Sequence, residues 1–158
     1  MKLSIILYRW YINYMAKEQK LEDVLYYLIE KTNKVVRRYS QIRFGKAGIE
    51  ITVDQWLVLK KISDSERITQ IELANAIFKD RASITRILDL LLDKQLVRKE
   101  EGADKRSYEL ALTANGQKFM EQAMVIVKQV RKKGTETLSE KEQEQLRNSL
   151  QKIIKNLE

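Results

Sequence analysis

Two arginines and two short hydroxyls, Arg81, Ser83, Thr85 and Arg86, stand close together at the start of an amphipathic segment. An arginine fork can engage guanine bidentately, and a short hydroxyl permits close approach to phosphates and base edges. At the N-terminal end of the second helix of a pair, those side chains suit the reading of a DNA major groove. Further along, Lys99 adds a cation in a strand, and Lys105 and Arg106 sit at a hairpin tip from which they can project toward a phosphate backbone or a minor groove. Thr69 and Gln70, at the start of the helix before, complete this group of candidate contacts.

Other chemistries have little to work with. The 158 residues contain no His and no Cys, which removes thiol redox switches, a Cys-His nucleophile and the usual zinc sites. There is no glycine-rich phosphate loop and no GxSxG elbow, and no pair of carboxylates, lysines or serines stands apart from ordinary helix-surface charge. Neither catalysis nor a cofactor or metal is expected. The net charge of +8 points instead to a polyanionic partner, nucleic acid ahead of a membrane surface.

The elements that must position these groups are marked by local signals. Thr69 with Glu72 forms a capping box, so a helix should begin at Gln70, with Ile71, Ala74 and Ile77 or Phe78 on its buried face. The chain should break at Lys79-Asp80, Asp80 capping a second helix whose apolar stripe is Ile84, Ile87, Leu88, Leu91 and Leu92. Tyr108, Leu110 and Leu112 alternate with polar or small residues, the period of a half-buried strand. Leu96 to Glu100 is its partner, and Gly102 serves the tip of the hairpin between them. Helix, turn, helix and hairpin in this order make a winged helix-turn-helix.

The segments TQIELANAI, DRASITRILDLLLDKQLV and DKRSYELALTANG resemble the MarR family of bacterial transcription regulators. The resemblance rests on Asp104 and Arg106 in the wing, on Leu112-Thr113 closing the strand, and on Gly116 opening the next helix. It implies that Asp104 pairs with a nearby basic group to hold the hairpin and that Arg106 enters the minor groove. Two features depart from the family pattern. Gln95 stands where a glycine usually follows the recognition helix, so that turn either carries a strain of roughly 1–2 kcal/mol or is shaped differently. Glu100 and Glu101 replace the arginines common in relatives, which should weaken wing contacts.

The rest of the chain frames this unit. Residues 1–16 form an apolar extension, too short for the ~20 residues of a membrane span and without a signal-peptide cleavage site. It is an extra helix packed on a dimer, a membrane-surface helix, or upstream sequence translated ahead of a natural start at Met15. Residues 17–46 should form an N-terminal dimerisation helix, with Leu21, Leu25, Leu28, Thr32, Val35, Tyr39 and Ile42 in an a/d seam. Residues 52–113 hold the winged unit, opened by a Thr52/Gln55 capping box. Residues 114–158 supply C-terminal dimerisation helices, the last one capped by Ser139 with Glu142.

The expected fold is therefore mainly α with a small β-hairpin wing and long dimerisation helices at both ends. A homodimer would set two recognition helices about 34–36 Å apart on a pseudo-palindromic operator in double-stranded DNA. The resemblance further implies a cytoplasmic repressor released by a small aromatic or anionic effector, with Tyr27, Arg38, Tyr39, Phe44 and Trp56 as cleft candidates. The alternatives are a winged-helix protein-contact module and, from residues 3–14, attachment to a membrane surface.

Overall fold

The side-chain caps written in the sequence start the helices that matter most to this fold. A computed structural model of the chain describes residues 20–102 and 108–158. The apolar extension 1–16, the expected helix start at Lys17, and Asp104, Lys105 and Arg106 lie outside the described residues. The chain divides after Arg37 into two compact units. In the first, Leu21–Asp23 makes one 3₁₀ turn, Val24 is extended, and α1 (Leu25–Lys46) then begins. Among the described residues the α-helix thus begins at Leu25, the expected seam positions from Leu25 onward lie on it, and Leu21 falls in the 3₁₀ turn ahead of the extended Val24.

The second unit runs from Arg38 and holds the C-terminal end of α1, whose buried residue is Phe44. Then come α2 (Val53–Ser63), β1 (Ile68–Thr69), α3 (Gln70–Ala76), α4 (Arg81–Asp93), β2 (Val97–Glu101), β3 (Tyr108–Leu112), α5 (Ala114–Gly134) and α6 (Glu140–Leu157). Reciprocal capping boxes open α2, α3 and α6, Asp80 caps α4, and Thr113 caps α5 through the Gly116 amide at 2.9 Å. Each satisfies amides that the first helical turn would otherwise leave without partners.

The core collects one face of each element: Val58, Leu59 and Ile62 from α2, Leu73 and Ala74 from α3, Ile84, Leu88 and Leu91 from α4, Leu110 from β3, and Met120 and Ala123 from α5. On α3 the buried face is Leu73, Ala74 and, in part, Ile77, whereas Ile71 is exposed. A helix of barely two turns packs by the one face its neighbours reach, and that face excludes Ile71.

The hairpin is completed by a strand the periodicity did not reveal. β1 pairs antiparallel with β3 through Ile68 opposite Leu110 and Thr69 opposite Glu109, giving the order β1-β3-β2. Two residues cannot display a period of two; their strand character comes from the distant partner.

The C-termini of α1, α3 and α4 close in the same way. Gly48, Phe78 and Gln95 take φ of 69°, 55° and 53°. In each case the following amide reaches back to a carbonyl inside the helix: Ile49 to Phe44 at 2.9 Å, Lys79 to Ala74 at 3.0 Å, and Leu96 to Leu91 at 2.9 Å. This left-handed closure favours glycine or asparagine, because a Cβ is strained there. Gln95 therefore keeps the family's turn and carries its strain.

Candidate nucleic-acid interface

The N-terminal end of α4 is presented by the turn after α3 and fixed by Asp80, whose carboxylate accepts from the Ser83 amide at 2.8 Å and the Ser83 hydroxyl at 2.6 Å. Those bonds, the hydroxyl's first, hold the Asp80 carboxyl below its ordinary pKa, so the cap stays ionised. Arg81 and Arg86 are exposed, and among the described residues neither is held in a salt bridge. Arg86 Nε reaches the carbonyl of Ala82 at 3.3 Å, one turn back, leaving its terminal nitrogens open.

Gln70 and Thr85 are engaged with each other. The Gln70 amide donates to the Thr85 hydroxyl at 2.6 Å, and Thr85 donates to the carbonyl of Arg81 at 2.9 Å. The Tyr108 hydroxyl in turn donates to the Gln70 carbonyl oxygen. A directed chain of hydrogen bonds thus ties β3 of the wing to α3 and to the first turn of α4. Tyr108 was absent from the sequence candidates for this reason: its partner lies 38 residues away, beyond any local pattern. Lys99 sits with its ammonium 4.3 Å from the centroid of the same tyrosine ring, a cation–π contact.

The Thr69 hydroxyl is spent on the α3 cap, accepting from the Glu72 amide at 3.3 Å and donating to its carboxylate at 2.8 Å. On β2, Arg98 binds Glu100 at 2.6 Å and the carbonyl of Leu112 at 3.1 Å, so the Glu100 charge is answered within the sheet. Arg67, from the loop before β1, pairs with Glu109 at 3.3 Å.

Known proteins are similar to this chain in sequence and fold. The MarR family signature matches residues 51–108. The transcriptional regulator HosA of Escherichia coli is 31% identical over 106 residues, which make up 66% of this chain and 78% of HosA. The chain belongs to the MarR family. Wild-type MarR of E. coli in its apo form is 29% identical with a TM-score of 0.71, covering 82% of this chain and 96% of MarR. A mutant MarR of E. coli complexed with operator DNA is 26% identical with a TM-score of 0.76, covering 86% of this chain and 99% of that one.

The cleft candidates fall in different environments of this MarR-family chain. In the first unit, the Lys31 ammonium lies 5.7 Å from the Tyr27 ring centroid. In the second, Arg38 and Tyr39 are exposed on α1, whereas Phe44 and Trp56 belong to the hydrophobic core. The Trp56 indole N–H is buried and has no acceptor among the described residues. A groove of about 600 Å³ lies elsewhere, with Lys60 and Ser63 of α2 facing Met120, Met124 and Lys128 of α5. The sequence reading gave none of these residues a site role.

Proposed function

We propose that this MarR-family regulator is a homodimer that binds a pseudo-palindromic operator in double-stranded DNA, represses the promoter it covers, and is released by a small aromatic or anionic effector. The observation that carries this reading is the N-terminal end of α4. Two exposed, unbridged arginines, Arg81 and Arg86, flank the hydroxyls of Ser83 and Thr85 on a helix end held rigid by the Asp80 cap. MarR of E. coli, a family member of the same fold, has been captured with operator DNA. Arg81 and Arg86 are the base readers in this reading, with Lys99 at a phosphate, while Thr69 and Ser83, whose hydroxyls donate to Glu72 and Asp80, hold the two helix starts against the duplex. Gln70 and Thr85 hold the helix in place, and Lys105 and Arg106 reach the minor groove from a wing steadied by Asp104.

Dimerisation is supported by two helices with little apolar surface covered. α6 has no buried residue, and on α1 the buried residue is Phe44. Leu25, Leu28 and Val35 of α1, and Leu146, Ile154 and Leu157 of α6, stand exposed. Seams of this kind bury themselves against a second copy. The long terminal segments 17–46 and 114–158 are thus the dimer frame and 52–113 the DNA-reading unit. For the effector, exposed Arg38 and Tyr39 offer charge and stacking, and the Trp56 N–H offers a donor. An effector acts only by preferring one spacing of the two heads over another. Like its relatives the protein is a regulator rather than an enzyme, and its DNA partner places it in the cytoplasm. No helix among the described residues is long and apolar enough to cross a membrane.

Titrating salt against a bound operator duplex tests this. With about 6–10 phosphate contacts, affinity should fall roughly 10³–10⁵-fold between 50 and 200 mM salt, with two chains per duplex. Salt-independent binding, or a single chain per duplex, contradicts it.

A further inference from the structure

Phe78 is 88% exposed, and it occupies a backbone position that strains any side chain beyond glycine or asparagine. Neither core packing nor turn geometry therefore accounts for a phenylalanine there. The turn around it is firmly held. The Phe78 and Lys79 amides bond to the carbonyls of Asn75 and Ala74 at 3.3 and 3.0 Å, and the Lys79 ammonium pairs with Asp54 of α2 at 3.2 Å. The ring is thus presented outward by a rigid backbone, two residues before the Asp80 cap and three before Arg81. Whatever meets Arg81 and Ser83 at that helix end passes within reach of it.

We infer that Phe78 is a specificity-determining DNA contact, its ring packing on the C5 methyl of one thymine in each half-site. This rests on the operator-binding reading above. A duplex suits this position better than a protein surface because the exposed ring stands three residues before Arg81, at the basic start of α4, and the nearby Asp80 carboxylate is already spent as a cap. Within a major groove the thymine methyl is the apolar feature a phenylalanine can recognise. Here the left-handed turn serves to aim an apolar side chain at the groove edge.

The test uses the full chain and an operator duplex recovered from a randomised pool. Phe78→Asn keeps a residue that tolerates the left-handed turn, so the variant should melt at or above the temperature of the unaltered protein. It should bind the operator roughly tenfold more weakly, as expected for losing a partly buried ring. Gln95→Gly relieves the same strain at the other turn and should leave operator affinity unchanged. Replacing thymines one at a time by deoxyuridine should cost the unaltered protein about fourfold at one position per half-site, the worth of one buried methyl. The Phe78→Asn variant should be indifferent at that position. Wild-type affinity in Phe78→Asn, unchanged deoxyuridine sensitivity in that variant, or a lowered melting temperature would each overturn the inference. If the unaltered protein selects no duplex at all, the operator-binding reading fails and takes the inference with it; tight binding by both proteins overturns the inference alone.

Discussion

A Cβ placed on Gly116 would stand 2.0 Å from the carbonyl oxygen of Leu96, closer than any side chain can be fitted. The start of α5 presses there against the turn that leaves α4, where the Thr113 amide also bonds the Leu96 carbonyl at 3.1 Å and the Thr113 hydroxyl bonds that of Gln95 at 2.6 Å. Gly116→Ala should therefore cost about 1–3 kcal/mol of stability, measured by denaturant unfolding, because backbone rather than a flexible side chain must give way. The family resemblance marked Gly116, but its reason was invisible in the sequence, since Leu96 is far away along the chain. Arg86 makes the complementary case. Its side chain is exposed and, among the described residues, hydrogen-bonds the Ala82 carbonyl one turn back, so Arg86→Ala should leave folding within about 0.5 kcal/mol. It should weaken operator binding by about 1–3 kcal/mol and relax preference at one base position. Unchanged selectivity in a competition assay would remove Arg86 from the reading face.

Elements were legible where their cause was local. The capping boxes at Thr52, Thr69 and Ser139 each lie within four residues, and all of them formed as the spacing suggested. β1 depends on a partner distant in the chain and was passed over, and on α3 the periodicity placed Ala74 and Ile77 on the packing face but Ile71 where Leu73 is the buried residue. Gln95 lies between these cases. The turn was marked by resemblance, and its φ of 53° shows the strain accepted rather than avoided. Gln95→Gly should accordingly raise stability by roughly 1 kcal/mol, about 2–4 °C in melting temperature. No change, or a loss, would mean the unfolded-state entropy of glycine offsets the relief. The caps also set a pH dependence. Thr69 backbone and hydroxyl bonds lower the pKa of Glu72, and Ser139 hydroxyl and backbone bonds lower that of Glu142, as Ser83 does for Asp80. A carboxylate with a depressed folded pKa contributes stability above its unfolded pKa and loses it as pH falls through the folded value. Melting temperature should fall as the pH drops from about 5 to 3, and somewhat less steeply in Thr69→Ala/Ser139→Ala, where two of those carboxylates lose their hydroxyl donors and keep only the backbone amides.

At the scale of the whole molecule, the winged unit shares one core with α5 and the C-terminal end of α1, and α6 is left with no buried residue. Its core draws on α2, α3, α4, β3 and α5, whereas α6 leaves Leu146 and Ile154 more than half exposed. Leu146→Glu/Ile154→Glu should therefore turn a dimer into a monomer by sedimentation, with the winged unit still folded by circular dichroism. A dimer that survives both charges would place the interface elsewhere. The helical seams were readable from spacing alone, but not what covers them, because a seam written in one chain looks the same whether its partner is within the chain or in a second copy. Dimer, caps and exposed arginines meet in one claim, that two copies of α4 read a two-fold symmetric sequence. Selection of duplexes from a randomised pool at near-physiological salt tests it most directly, since non-specific binding at about 10⁻⁴–10⁻⁶ M is then competed away. The expected product is a pseudo-palindrome whose half-sites are centred one helical turn, or a multiple of it, apart. A pool that emerges without enrichment, or enriched for a single asymmetric site bound by one chain, would contradict it.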